Sequence, residues 1–277
     1  MMVGFFITLR EGLEAALVVG IVLGVLRRFG RLDQTKAVWA GVLAAVLTSV
    51  VAGLILNRVG IAFEGRGEAA FEGFAMLVAA GVLTWMIFWM QQQGRQVSSM
   101  LEQSALQAAS RNNDHMLFGL SFVAVVREGL ETALFLTAAA FGSTTVQTLL
   151  GGVLGLLVAL ALGWVIYMGG KRLNIRAFFQ ATSIVLLLFA AGLLAHGVHE
   201  LQEAALLPIT IEHVWDVSSV LDDSSTLGSL LKALFGYNAA PSLLEVISYI
   251  TYLLIVGVAF VTTDHRRRNE RQLVVKE

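Results

Sequence analysis

Apolar runs of about 18 residues or more recur along nearly the whole chain, and each can cross a hydrocarbon core of about 30 Å as a helix. That recurrence leaves no room for a separate soluble domain. The mean hydropathy of +0.76, with 57% hydrophobic and 14% charged residues among 277, agrees. Cysteine is absent, which excludes disulfides, thiolate metal sites and thiol catalysis. The first run carries Arg10, Glu11 and Glu14 and has no basic residue before it, so it reads as a retained helix rather than a cleavable signal.

The spacing predicts an all-α membrane protein of about seven transmembrane helices, at roughly 3–29, 35–57, 69–91, 116–140, 146–170, 177–205 and 243–263. Seven crossings put the termini on opposite sides. Fourteen of the 19 Lys and Arg residues follow spans 1, 3, 5 and 7: Arg27, Arg28, Arg31 and Lys36, then Arg95 and Arg111, then Lys171, Arg172 and Arg176, then Arg266, Arg267, Arg268, Arg271 and Lys276. Only Arg58, Arg66 and Lys232 fall on the other side, so the expected orientation is N-terminus outside and C-terminus cytoplasmic. Trp85, Trp89, Trp164 and Tyr167 then fall near cytoplasmic ends, where interfacial aromatics belong. The outer face is acidic, with Glu64, Glu68, Glu72, Glu200, Glu203, Glu212, Asp216, Asp222, Asp223 and Glu245 on or near it. Residues 94–113 read as a cytoplasmic surface helix. Residues 206–242 read as a long outer loop, helical from Asp216 to Phe235 and ended by Gly236.

The segment from Leu9 to Leu17 recurs from Val126 to Leu134 with seven identities in nine, both copies containing Arg-Glu-Gly-Leu-Glu. The offset of 117 residues covers three helices, so the copies run in opposite directions. This predicts an inverted 3+3 helix repeat plus one C-terminal helix, divided as 1–113, 114–207 and 208–277, with a substrate site between the repeats near the bilayer midplane.

In a helix Glu11, Glu14 and Arg10 share one face, and Glu128, Glu131 and Arg127 repeat the arrangement. Six unpaired charges at helix centres would cost on the order of 15–20 kcal/mol. Two arginines against four glutamates leave two carboxylates uncompensated, and a bound multivalent cation balances them. Gly12 and Gly129 are expected to let the two motif helices approach closely. The rival readings are a buried salt bridge that only holds helices together, and proton carriers coupled to another substrate. Carboxylates without thiolates favour hard cations, which admits ferric iron, Mn²⁺, Mg²⁺ and Ca²⁺.

Glu64, Glu68 and Glu72 stack on one helix face, and His196, His199, Glu200 and Glu203 on another. They form a candidate cation relay, with Glu68, Glu72, His199 and Glu203 as candidate ligands, weighed against solvated helix ends. His199 to Glu203 departs from a zincin pattern by a Glu in place of the second His, so protease chemistry is not expected. His115, His213 and His265 read as surface residues, and Asp216, Asp222 and Asp223 either join the outer acidic funnel or, the favoured reading, cap loop helices. The chain is expected to be no enzyme, to hold no permanent cofactor and to bind no nucleic acid.

With its two Arg-Glu-Gly-Leu-Glu segments, together with Leu83 to Met90, Ala190 to Leu193 and Leu234 to Ser242, the chain resembles the oxidase-dependent iron permease family across essentially its full length. The resemblance implies inward transport of iron across a bacterial inner membrane, ferric in the transported form, with Glu11, Glu14, Glu128 and Glu131 as iron ligands. It also implies extracytoplasmic partners that oxidise or deliver iron, a periplasmic binding protein and a haem peroxidase in the bacterial branch. The alternative is a proton-coupled carrier of another hard divalent cation such as manganese.

Overall fold

The computed structural model describes residues 1–61, 63–111, 113–141, 145–168, 175–223 and 225–274, with the side chains of 60–61, 91–98, 145, 175–176, 226, 230, 233–234, 261 and 263–274 outside the description. Among the described residues all regular elements are helices: α1 (Met2–Arg28), α2 (Thr35–Ile61), α3 (Arg66–Ser110), α4 (Asp114–Phe141), α5 (Thr145–Tyr167), α6 (Ile175–Glu203), α7 (Thr226–Phe235) and α8 (Leu243–Val274). A 3-10 turn, Leu32–Gln34, leads into α2. The chain's two prolines, Pro208 and Pro241, both lie between α6 and α8, so none interrupts a long helix.

Among the described residues five segments are long and apolar enough to cross a membrane: Leu32–Val59, Arg66–Met90, Val146–Tyr167, Ala177–Glu203 and Leu243–Phe260. α1 and α4 carry three charged motif residues each within their apolar lengths. α2 and α5 lie at the periphery and expose Leu43, Leu47, Val50, Leu54, Val153, Leu157 and Leu160, an apolar surface that suits lipid rather than water.

Two helices outrun their expected ends. The predicted surface helix over 94–113 is not a separate element, because α3 runs unbroken for 45 residues to Ser110. Gly94 is the one weak helix former in the junction and costs only about 1 kcal/mol. The apolar stripe of the extension, Ala105, Ala108 and Ala109, is buried against Val22, Val25 and Leu26 of α1, Val38 of α2 and Leu117 of α4, not laid on a membrane surface. The seventh predicted span likewise continues past residue 263, as α8 runs to Val274. The orienting side chains Arg95, Lys171, Arg172, Arg176, Arg266 to Arg268, Arg271 and Lys276, and that of His265, lie outside the description.

α1 packs most extensively on α5, α2 on α4, and α3 on α6, with α1 and α4 meeting at the centre. Small residues make the two peripheral contacts. A methyl group at Gly12 would come within 2.8 Å of Ala159 Cβ, and one at Gly163 within 2.7 Å of Ala16 Cβ. On the other side a methyl at Gly129 would collide with Ser49, and one at Gly53 would meet Ala133 Cβ at 3.4 Å. The two motif glycines therefore seat α5 and α2, and do not face each other as expected. The reason is helical phase: position 12 lies about 100° round the helix from 11 and on the far side from 14.

The loop after α6 is less helical than predicted. Only Thr226–Phe235 is a helix, ended as expected by Gly236 at φ 68°. Ser225, not an aspartate, caps its start, through Oγ accepting from Gly228 N. Asp216 instead accepts from Ser218 N and Oγ in a turn, which holds its carboxyl below the usual range, and Asp223 accepts from Ala239 N. These short side chains find backbone donors locally and so compete with helix formation.

Candidate metal site

α1 and α4 reproduce one local bond. Arg10 Nε donates to Glu14 Oε1 at 3.0 Å, and Arg127 Nε donates to Glu131 Oε1 at 3.0 Å. Four residues along a helix bring side chains to the same face, so the bond follows directly from the motif spacing. The surroundings differ. The Arg10 side chain is 1% exposed and that of Arg127 is 37% exposed. Arg10 Nη2 reaches only the weak acceptor Met90 Sδ, at 3.6 Å, and its Nη1 has no partner among the described residues. Arg127 lies over the indole of Trp89, with Cζ 4.7 Å from the ring centroid.

The remaining carboxylates converge. One oxygen each of Glu11, Glu128 and Glu131 lies within 4.8 Å of the others. Both oxygens of Glu11, and Oε2 of Glu128 and of Glu131, are buried without a hydrogen-bond partner among the described residues. Among the described residues this is the one group of three such ligands. Like charges at that separation repel by roughly 3–4 kcal/mol per pair at an effective dielectric near 20, and orphaned buried acceptors add desolvation cost. A hard cation relieves both at once, because it accepts oxygen ligands and opposes the charge. Glu14 stands close to Glu11 and Glu128, with Oε1 accepting from Arg10 as Oε1 of Glu131 accepts from Arg127.

The group sits between two apolar layers. Toward the N-terminal end of α1 lie Val3, Ile7, Met76, Leu83 and Phe135, and toward its C-terminal end lie Val22, Val25, Leu26, Val38 and Leu117. All are buried.

At the end of the bundle where α3 begins and α6 ends, the expected relay residues are partly assembled. His199 Nε2 is 3.3 Å from Glu203 Oε1. Glu72 is half-buried and feels the charges of Glu68, Glu200 and Glu203, whereas Glu64 and Glu68 are exposed. These residues do not gather into a three-ligand group. His196 turns into a small cavity lined by Met76, Ala138, Phe189 and Leu193, with Lys232 of α7 beside it. His115 and His213 are exposed.

Several residues matter that the sequence reading did not single out for these roles. Glu245, grouped with the exposed outer acids, is 3% exposed. Its Oε1 lies 3.0 Å from His199 Nδ1 and accepts from Ser242 N at 3.1 Å, while Oε2 accepts from Asn238 Nδ2 at 2.8 Å. Ser242 Oγ donates to Gln202 Oε1 and receives Glu245 N. Ser-Leu-Leu-Glu before an apolar run is a capping box, and that signal stood in the sequence. Trp89, expected as an interfacial anchor, is a partner of the second motif; only its proximity to Arg127, not its spacing, reveals this.

Lipid-compatible flanks around a buried charged centre define a multi-pass membrane protein. The chain belongs to the iron permease FTR1 family, whose model matches residues 1–263. It is 41% identical over 263 residues to the ferrous iron permease EfeU of Escherichia coli O6:K15:H31 (strain 536 / UPEC), covering 94% of this chain and 95% of that protein. It is 37% identical over 262 residues to the ferrous iron permease EfeU of Yersinia pestis, covering 94% and 93%. No solved structure matches it.

Proposed function

We propose that this protein carries iron inward across a bacterial inner membrane through a site made by Glu11, Glu128 and Glu131, with Glu14 as the nearest further carboxylate. The observation that carries the reading is the convergence of these three buried groups with four oxygens lacking partners. The names of the relatives supply iron, and say ferrous; the donor set alone supplies only a hard cation, and it is the donor set that favours the ferric ion. An all-oxygen site suits ferric iron better than ferrous, so the transported ion is ferric, formed by an extracytoplasmic oxidising partner. Delivery would run through a periplasmic binding protein and the outer acidic residues Glu68, Glu72, His199 and Glu203. A trivalent ion moving inward through 100 mV gains about 7 kcal/mol, so the membrane potential can drive accumulation.

In this reading α1 to α6 and α8 are the seven crossing helices, related as an inverted repeat. Support comes from the packing: α1 on α5 and α4 on α2 use matching small residues, Gly12 with Ala159 and Gly129 with Ser49. The two apolar layers around the carboxylates suit an occluded state of a carrier that opens to each side in turn.

Radioiron uptake into proteoliposomes tests the site. Glu11→Gln, Glu128→Gln and Glu131→Gln are each expected to lower uptake at least tenfold, the loss of one charged ligand being worth more than about 1.4 kcal/mol. Undiminished uptake by all three sinks the proposal. Excess Mn²⁺ that suppresses iron uptake at equal concentration would favour the manganese alternative, and ferric citrate against ascorbate-held ferrous iron decides the valence.

A further inference from the structure

The two motif copies are equal in sequence and unequal in surroundings, and the inequality is made by two consecutive residues of α3. Met90 meets Arg10 and Trp89 meets Arg127, because successive helix positions point about 100° apart and α3 lies against both α1 and α4. We infer that Arg127 is the counter-charge that moves when the cation binds, that Trp89 is the positioning residue that keeps hold of it, and that the Arg10–Glu14 pair stays closed. This rests on the three-carboxylate site proposed above.

The argument is electrostatic. Glu131 belongs both to the cation group and to the Arg127 ion pair, so a bound cation and the Arg127 guanidinium compete for it. Glu14 is the nearest further carboxylate but not one of the three converging ligands, so the cation draws less on the Arg10 pair than on that of Arg127. Arg10 is also fully enclosed, whereas Arg127 is more than a third exposed and has room to shift. A guanidinium that gives up its carboxylate in a low-dielectric bundle needs another partner. The face of Trp89 is already beneath it, and Trp89 itself stacks on Trp85, at 6.1 Å and 27°, which extends the aromatic surface to the exposed side of α3. Removing the indole therefore penalises the cation-bound state, where Arg127 has only Trp89, more than the cation-free state, where it also has Glu131. Met90 offers Arg10 only a weak thioether contact and has no such role.

The test is iron uptake kinetics on the full-length protein in proteoliposomes, with Fe³⁺ as citrate and Fe²⁺ held by ascorbate, beside equilibrium dialysis of ⁵⁵Fe against detergent-purified protein. Trp89→Leu is expected to raise KM and the dialysis Kd about tenfold, in line with a desolvated cation–π contact, with Vmax within about twofold. Trp89→Phe, which keeps an aromatic face and protects against a folding failure of the leucine variant, is expected to fall between, and Met90→Leu to behave as wild type. Trp89→Phe as impaired as Trp89→Leu, a fall in Vmax alone, or an unchanged KM in both variants would overturn the inference. Glu128→Gln, run in parallel, separates the two claims. Its loss of uptake with an unaffected Trp89→Leu removes Trp89's role alone, whereas unimpaired uptake by Glu11→Gln, Glu128→Gln and Glu131→Gln alike removes the site reading and this inference together.

Discussion

At the scale of the residue, the motif spacing carries most of the chemistry. Arg-x-x-x-Glu on one helical turn fixes the 3.0 Å bond in both copies, and this could be read before any coordinates. What spacing cannot say is which of the glutamates also turn toward the other motif helix. That depends on the rotation of α1 and α4 about their axes, set by Gly12 against Ala159 and Gly129 against Ser49. The four glutamates thus sort into Glu14, committed to Arg10, and Glu11, Glu128 and Glu131 in one group. Glu245 shows the complementary failure: an acid near the outer face was grouped by location, while its capping box with Ser242 went unread. Replacing Glu245 with Ala strands Ser242 N and Asn238 Nδ2 and removes the partner of His199 Nδ1, so we expect a loss of about 1–3 kcal/mol. Thermal unfolding in detergent checks it, with Glu245→Gln expected to recover more than half of the loss; a variant as stable as wild type would show that the network holds nothing.

Among the elements, the long helices were legible because apolar length is a strong signal and the prolines are confined to one loop. Their ends were not. α3 and α8 continue through polar sequence because nothing there breaks a helix, and polarity alone does not mark a boundary. A further regularity was present but unread: Gly41, Ala45, Ser49 and Gly53 of α2 and Gly151, Gly155, Ala159 and Gly163 of α5 are both small residues at every fourth position. These ladders face α4 and α1, and close approach of that kind replaces the hydrophobic effect as the force between helices in lipid. Gly12→Val and Gly129→Val therefore have to push α5 or α2 outward, at about 1–3 kcal/mol each. Because both sites press on the motif helices, uptake should fall along with thermal stability. Gly81→Val, at a position with open space around it, is the control that should change neither. Equal behaviour of all three variants would mean the ladders do not set the position of the motif helices.

For the whole molecule, the open matter is how the bundle lies in the membrane. Among the described residues apolar length marks five helices, and α1 and α4, which carry the two charged motifs, fall outside that set. If these two also cross, Phe29 at the end of α1 and Val220 between α6 and α7 are separated by five crossings and lie on opposite faces. If they do not, the separation falls to four crossings and both residues share a face. The absence of cysteine makes the distinction measurable without a background-free variant having to be built. Both positions are well exposed, at 51% and 86%. Phe29→Cys and Val220→Cys can be labelled with a membrane-impermeant maleimide in intact spheroplasts and again after permeabilisation. The Lys and Arg distribution predicts that Val220→Cys reacts at once and Phe29→Cys only after permeabilisation. The reverse order would invert the orientation and with it the direction in which the acidic end could collect cations. Equal labelling of both would remove the odd number of crossings on which antiparallel motif copies depend. Those copies would then need another explanation for their shared centre at Glu11, Glu128 and Glu131.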